Sequence, residues 1–199
     1  MDIDAKMVMA LRQKTGAPMK DCRQALIEAQ GDEAKAIEVL RKKGLKAGEG
    51  LAGRAASEGL VCSYVHHNGR IGVLVELGCE TDFVARNEEF QKFGRDVCLH
   101  IAAMRPKFLD KESIAADFLA DERRIFTEQT QEQMKGRPDD VIQKAIEGRV
   151  QKMFAEVCLL EQPWVHDGNL SVAAALKALA GKIGENLAIR RFHRMELGL

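Results

Sequence analysis

The sequence carries no excess charge of either sign: 30 lysines and arginines balance 30 aspartates and glutamates over 199 residues. A general nucleic-acid binder carries a basic excess, so no direct contact with DNA or RNA is expected. Long apolar runs are also missing. None approaches the roughly 20 residues that cross a bilayer as a helix, and no membrane role is expected. Met1-Asp2-Ile3-Asp4 lacks the basic and apolar stretches of a secretory signal, which fits a cytoplasmic protein. Cys22, Cys62, Cys79, Cys98 and Cys158 are scattered, odd in number, and never spaced as C-x-x-C. That pattern argues against zinc and against a disulfide framework, and for reduced, mostly buried thiols. No cysteine follows Cys158, so no disulfide can bridge the last strands. Phosphate-cradling glycine loops and a nucleophile elbow are absent as well. Neither a cofactor nor an enzymatic activity is expected.

What is present suits a soluble α+β protein, with 46% hydrophobic and 30% charged residues. Residues 1–44 read as a module of three short helices. Ile3, Met7, Ala10 and Leu11 share one face, and Met19, Cys22, Leu26 and Ala29 repeat at three and four. Gly16-Ala17-Pro18 separates the first two helices, with Pro18 suited to a first helical turn. Asp32 suits an N-cap. Arg41, Lys42 and Lys43 then crowd a last turn that Gly44 should stop. Such a module has little core and reads as a docking unit. Residues 45–58, rich in glycine and alanine, read as a linker.

Residues 59–199 read as a core. Leu60–His66 and Ile71–Leu77 flank Asn68-Gly69, a hairpin signal because both residues tolerate positive φ. The second of these strands is apolar on nearly both faces and should lie centrally in its sheet. Phe90, Phe93, Val97, Ile101 and Met104 mark a helix that covers the sheet, with Asn87 at its start. Two long helices at about 113–159 surround Gly136-Arg137-Pro138-Asp139. Ile142, Ile146, Val150, Met153 and Val157 follow near-heptad spacing there. This protruding helical hairpin either packs internally or reaches for a partner. A short helix at 172–179 and an Arg-rich edge strand at 186–196 complete a small antiparallel sheet packed with helices.

Chemistry is sparse. His66 and His67 are adjacent, and neighbours in a strand point to opposite faces, which argues against a shared metal. Glu80 and Asp82 could form an acid–base pair, but no nucleophile or base converges on them. Trp164 reads as a core plug. Phe83, beside Asp82, sits between the second strand and the following helix and fits neither pattern. It is either a probe aimed at another molecule or an ordinary corner plug.

Two stretches carry a family resemblance. Leu11-Arg12-Gln13-Lys14-Thr15-Gly16-Ala17-Pro18-Met19-Lys20-Asp21-Cys22-Arg23-Gln24-Ala25-Leu26 resembles the N-terminal signature of the translation elongation factor Ts family. Glu76-Leu77-Gly78-Cys79-Glu80-Thr81-Asp82-Phe83-Val84-Ala85-Arg86 resembles its second signature. The similarity extends through Ser63-Tyr64, Glu147-Gly148-Arg149 and Ile183-Gly184-Glu185-Asn186. Pro18 stands where the family usually has glycine and Lys20 where methionine is common. Longer members carry two related core halves; this chain resembles the short, single-core form.

The resemblance implies a guanine nucleotide exchange factor for elongation factor Tu. It would bind the GDP-bound GTPase, disturb its magnesium site and promote GDP release. On that basis Asp82 and Phe83 insert near the magnesium, and Thr81 and Val84 support them. Met19 and Arg23 match the docking helix, and His66, Ile183 and Gly184 match core contacts. The small sheet with its Arg-rich edge adds the expectation of a homodimer. The alternative is a non-catalytic protein-binding scaffold with a ubiquitin-associated-like module.

Overall fold

The computed structural model describes residues 3–198. In chain order the elements are α1 (Ala5–Thr15), α2 (Met19–Glu28), α3 (Glu33–Leu51), β1 (Glu58–Val65), β2 (Ile71–Cys79), α4 (Asp82–Ala85), α5 (Glu88–Met104), α6 (Ala116–Gln133), α7 (Asp139–Val157), β3 (Pro163–Trp164), β4 (Asp167–Ser171), α8 (Val172–Ile183) and β5 (Ala188–Glu196). The fold class is α+β, as expected. The chain forms two compact units, each assembled from three separate segments.

The first unit comprises 1–60, 78–90 and 174–188. Its helical core is Val8, Leu11, Cys22, Ala25, Leu26, Ala29 and Ala36, with Ile3, Val39 and Leu40 packed against it. The local signals behave as read. Gly16 caps α1 with φ 66°, and Asp32 Oδ1 accepts from the Lys35 amide at 3.1 Å at the start of α3. Several positions differ. Pro18 stands at the N-cap of α2, one residue before its first turn. Met7 and Met19 leave the buried faces and are exposed.

The third helix does not stop at Gly44. It runs to Leu51, so residues 45–51 are helix rather than linker. The physical reason is close approach to α8. A Cβ on Gly48 would meet the Lys177 carbonyl oxygen at 2.2 Å, and one on Gly181 would meet the Gly44 carbonyl oxygen at 2.1 Å. These glycines bring two helix backbones together instead of ending them. Gly181 likewise does not break α8, which continues to Ile183. Gly184 ends it, with φ 88° and its N–H bonded to the Ala180 carbonyl at 2.8 Å.

The second unit comprises 61–77, 91–173 and 189–199. Its main sheet has the order β1-β2-β5, so the doubly apolar strand is central and the Arg-rich strand is an edge. α5 lies on the inner face. A Cβ on Gly94 would meet Cys62 Sγ at 2.1 Å and Leu77 Cδ2 at 3.4 Å. The hairpin turn is not the one expected. Gly69 alone takes positive φ (67°), its N–H bonds to the His66 carbonyl at 2.7 Å, and Asn68 Oδ1 accepts from the Arg70 amide at 3.0 Å. The pair α6–α7 buries Ile142, Ile146, Val150 and Met153, so the near-heptad stripe serves internal packing. Arg123 and Glu147 pair across it at 2.7 Å. The short strands β3 and β4, which no sequence pattern announces, pair antiparallel.

Trp164 is a core plug, 7% exposed. It stacks on His100 with ring centroids 5.3 Å apart and lies 5.5 Å from Phe93. His100 itself is fully buried. The Gln162 amide nitrogen donates to the Glu156 carbonyl at 2.7 Å, which leaves its oxygen to accept from His100 Nε2 at 2.9 Å. His100 is therefore the neutral Nε2–H tautomer, with Nδ1 buried and without a hydrogen-bond partner.

Candidate functional site

β2 delivers the chain to a corner at Glu80 and Thr81, where the one-turn helix α4 begins. Thr81 is its N-cap: φ −128° and ψ 156° hold it extended, and its hydroxyl accepts from the Val84 amide at 3.4 Å. Backbone bonds from Ala85 to the Thr81 carbonyl (3.3 Å) and from Arg86 to the Asp82 carbonyl (3.2 Å) complete the turn. Asn87 then caps α5, its Oδ1 accepting from Glu89 N at 2.8 Å.

Phe83 projects from this turn. It is 79% exposed, and among the described residues it is the one exposed phenylalanine. The corner-plug reading is thereby overturned: a plug would be covered. Asp82 beside it is exposed and pairs with Arg86 at 3.0 Å. An exposed pair of this kind holds weakly, so Asp82 is available to another partner.

The corner is clasped from the far end of the same unit. Glu185 Oε2 accepts from the backbone N–H groups of Glu80 and Thr81, each at 3.1 Å. Glu185 Oε1 accepts from the Thr81 hydroxyl at 2.7 Å. In return, Glu80 Oε1 accepts from the Asn186 amide at 2.6 Å, and Arg54 stands 3.6 Å from the same oxygen. Asn186 Nδ2 donates to the Arg54 carbonyl at 2.7 Å. Under the corner, Cys79 Sγ donates to the Thr81 carbonyl at 3.1 Å. Burial first, and then the Glu185 charge, push the Cys79 thiol up from its ordinary pKa. It stays protonated and serves as a donor.

The sequence-expected residues are distributed unevenly. Thr81, Asp82, Phe83, Val84, Met19, Arg23, Ile183 and Gly184 all lie in the first unit, and His66 lies in the second. Met19 and Arg23 are exposed one helical turn apart on α2, followed by exposed Ile27 one turn further. His66 is half-buried just beyond β1, its Nδ1 2.8 Å from the Tyr64 hydroxyl. Its ring meets that of His67 edge-on at 4.2 Å, so the expectation that the two point apart is corrected. Both follow the last residue of the strand, where alternation ends. Among the described residues no group of three or more histidines, cysteines or acids could hold a metal ion.

A family model described as Elongation factor TS matches residues 42–198. The chain belongs to the elongation factor Ts family. Elongation factor Ts of Fervidobacterium nodosum is 48% identical over 198 residues, covering 100% of both chains. That of Solidesulfovibrio magneticus is 50% identical over 196 residues, covering 98% of this chain and 97% of the relative. That of Geobacter metallireducens is 50% identical over 198 residues, covering 100% and 91%. The chain thus spans nearly the whole of these elongation factor Ts relatives, in keeping with the short form. Within this family member, the residue that sequence reasoning passed over is Glu185. It stands in the Ile183-Gly184-Glu185-Asn186 stretch, but its partners lie more than 100 positions earlier, and no local periodicity links them.

Proposed function

We propose that this chain is a guanine nucleotide exchange factor for elongation factor Tu, acting in translation elongation in the cytoplasm. It binds the GDP-bound GTPase, disturbs the magnesium site and promotes GDP release. The observation that carries this reading is Phe83, held out in solvent on a capped turn, in a chain of the elongation factor Ts family. Asp82 and Phe83 are the inserting pair, and Thr81 and Val84 hold them. Met19, Arg23, His66, Ile183 and Gly184 supply docking. The factor performs no bond chemistry of its own and uses no cofactor.

Linkage states the mechanism in energetic terms. A factor that binds the nucleotide-free GTPase more tightly than the GDP-bound form must weaken GDP by the same factor. Magnesium bridges phosphate oxygens and protein ligands, so moving its neighbours removes a large electrostatic hold. Burying one phenylalanine yields roughly 1.5–3 kcal/mol, whereas a ten-thousandfold acceleration needs about 5.5 kcal/mol at ~1.36 per decade. Phe83 supplies part of that and the docking surfaces the rest.

Stopped-flow release of fluorescent GDP from elongation factor Tu tests the reading. Phe83→Ala should still bind but release GDP roughly ten- to a hundredfold more slowly, the rate equivalent of one buried ring. An unchanged rate overturns the insertion mechanism. A protein-binding scaffold, the alternative, would bind its partner without changing GDP release at all.

The factor works as a homodimer on the same reading. The outer face of the β1-β2-β5 sheet leaves Val61, Val65, Leu74 and Met195 exposed, beside Glu76 paired to Arg191 at 2.6 Å. A face that is apolar and carries both charges is self-complementary, as a two-fold interface requires. Sedimentation at micromolar concentration should show a dimer, and Leu74→Glu a monomer. A wild-type monomer with full activity removes this part.

A further inference from the structure

The turn that carries Phe83 cannot hold itself. Four residues are too few to offset the cost of helix nucleation, so the geometry of α4 depends on its cap. That cap, the Thr81 hydroxyl, is shared between two neighbours. It stands 2.7 Å from Glu185 Oε1 and 3.4 Å from the Val84 amide. A carboxylate only accepts hydrogen bonds. Glu185 therefore fixes the hydroxyl proton on itself and leaves the oxygen lone pairs for Val84. Its other oxygen takes the Glu80 and Thr81 amides at 3.1 Å each, which sets the backbone just before the turn. Gly184, in the left-handed region at φ 88°, ends α8 and hands the chain to Glu185.

We propose that Glu185 is a positioning residue for nucleotide exchange: through Thr81 it fixes the turn from which Phe83 acts, without itself touching the GTPase or the nucleotide. The proposal rests on the reading of Phe83 as the inserting residue. Its consequence is a split between binding and rate. Met19 and Arg23 on α2 take no part in the clasp, so docking through them survives the loss of Glu185, whereas the presentation of Phe83 loosens.

The test measures GDP release from elongation factor Tu over a range of factor concentrations, with melting temperatures as a folding control. Glu185→Ala should lower the saturating release rate about tenfold, the rate equivalent of one lost charge-assisted contact. The half-saturating concentration should move less than about twofold. Glu185→Gln should recover most of the rate, because its amide oxygen still accepts the two backbone N–H groups and its nitrogen meets the Thr81 oxygen. Thr81→Val breaks the same relay from the other end, and the double variant should be no slower than the slower single one. If Glu185→Ala does not fold, Thr81→Val carries the test. A full saturating rate in Thr81→Val or in folded Glu185→Ala overturns the proposal. So does a rise in half-saturating concentration alone, or a Glu185→Gln as slow as Glu185→Ala. Phe83→Ala run alongside separates the two claims: if it exchanges at full rate, the inserting role of Phe83 fails. If it is slow while Glu185→Ala is not, only the positioning role fails.

Discussion

Phe83 and Trp164 are both aromatic residues within short elements, α4 and β3, and the two units treat them in opposite ways. Trp164 lies under His100 and Phe93, with its ring removed from water. Phe83 stands almost wholly in water, on a turn fixed by polar groups at Thr81, Glu80 and Glu185. Burial of an aromatic stabilises the protein that buries it. A clasp of charge-assisted bonds that holds an aromatic in solvent gives the ring nothing in the free protein. Its apolar surface becomes useful only when another molecule covers it.

The contrast can be broken at several points. The largest stability effect should come from Trp164→Ala, which removes a buried ring and should cost about 3–5 kcal/mol. Urea unfolding measures it, and GDP release per folded molecule should stay near wild type. Gly181→Ala comes next. Its new methyl would sit 2.1 Å from the Gly44 carbonyl oxygen, and forcing α3 and α8 apart should cost roughly 1–3 kcal/mol.

A smaller, pH-dependent effect should come from His100. Burial pushes its pKa down from 6.5; the Gln162 hydrogen bond opposes this in part, and His166 adds to the depression. A folded-state pKa below the unfolded one means the unfolded chain takes up a proton first as pH falls. Stability should therefore be level above about pH 6.5, decline below it, and stop declining beneath the folded-state pKa. Melting temperatures between pH 7.5 and 5 should show that decline in the wild type and a shallower one in His100→Gln. Equal slopes would mean that His100 does not govern it.

The smallest stability effect should come from Phe83→Ala, within about 0.5 kcal/mol of wild type, as for other exposed positions. Its effect on exchange should nevertheless be the greatest of the four. If Phe83→Ala unfolds as readily as Trp164→Ala, the ring is structural and the contrast collapses.

Sequence patterns reported what is decided locally. The apolar pattern of Ile71–Leu77 placed that strand at the sheet centre, and Asp32 and Asn87 announced the caps they make. Phe83 was legible as a residue that fits no pattern, and the family signature around it was specific. What escaped is decided by distant partners. Gly44 and Gly181 look like helix stops, and glycine does end helices. Here each faces the other's helix, and only the pairing of α3 with α8 reveals that the missing side chains make room. Asn68 looks like half of a tight turn, yet its side chain caps Arg70, and of the pair only Gly69 adopts positive φ. The family resemblance runs through Glu185 but gives no sign of its partner, because an acid after a glycine at a helix end is unremarkable until Thr81 is seen beside it.

The clasp also imposes an order in time. Thr81 and Glu185 are separated by 104 positions. A ribosome making this chain has finished α2, β2 and the whole Thr81–Val84 segment long before it adds Glu185. Until that residue emerges, the turn has its sequence but not its anchor, and contacts of such separation form late. A chain stopped before Glu185 would carry Asp82 and Phe83 and still lack a fixed corner. The corner that carries Phe83 is set only after the roughly hundred residues between its two halves have been made.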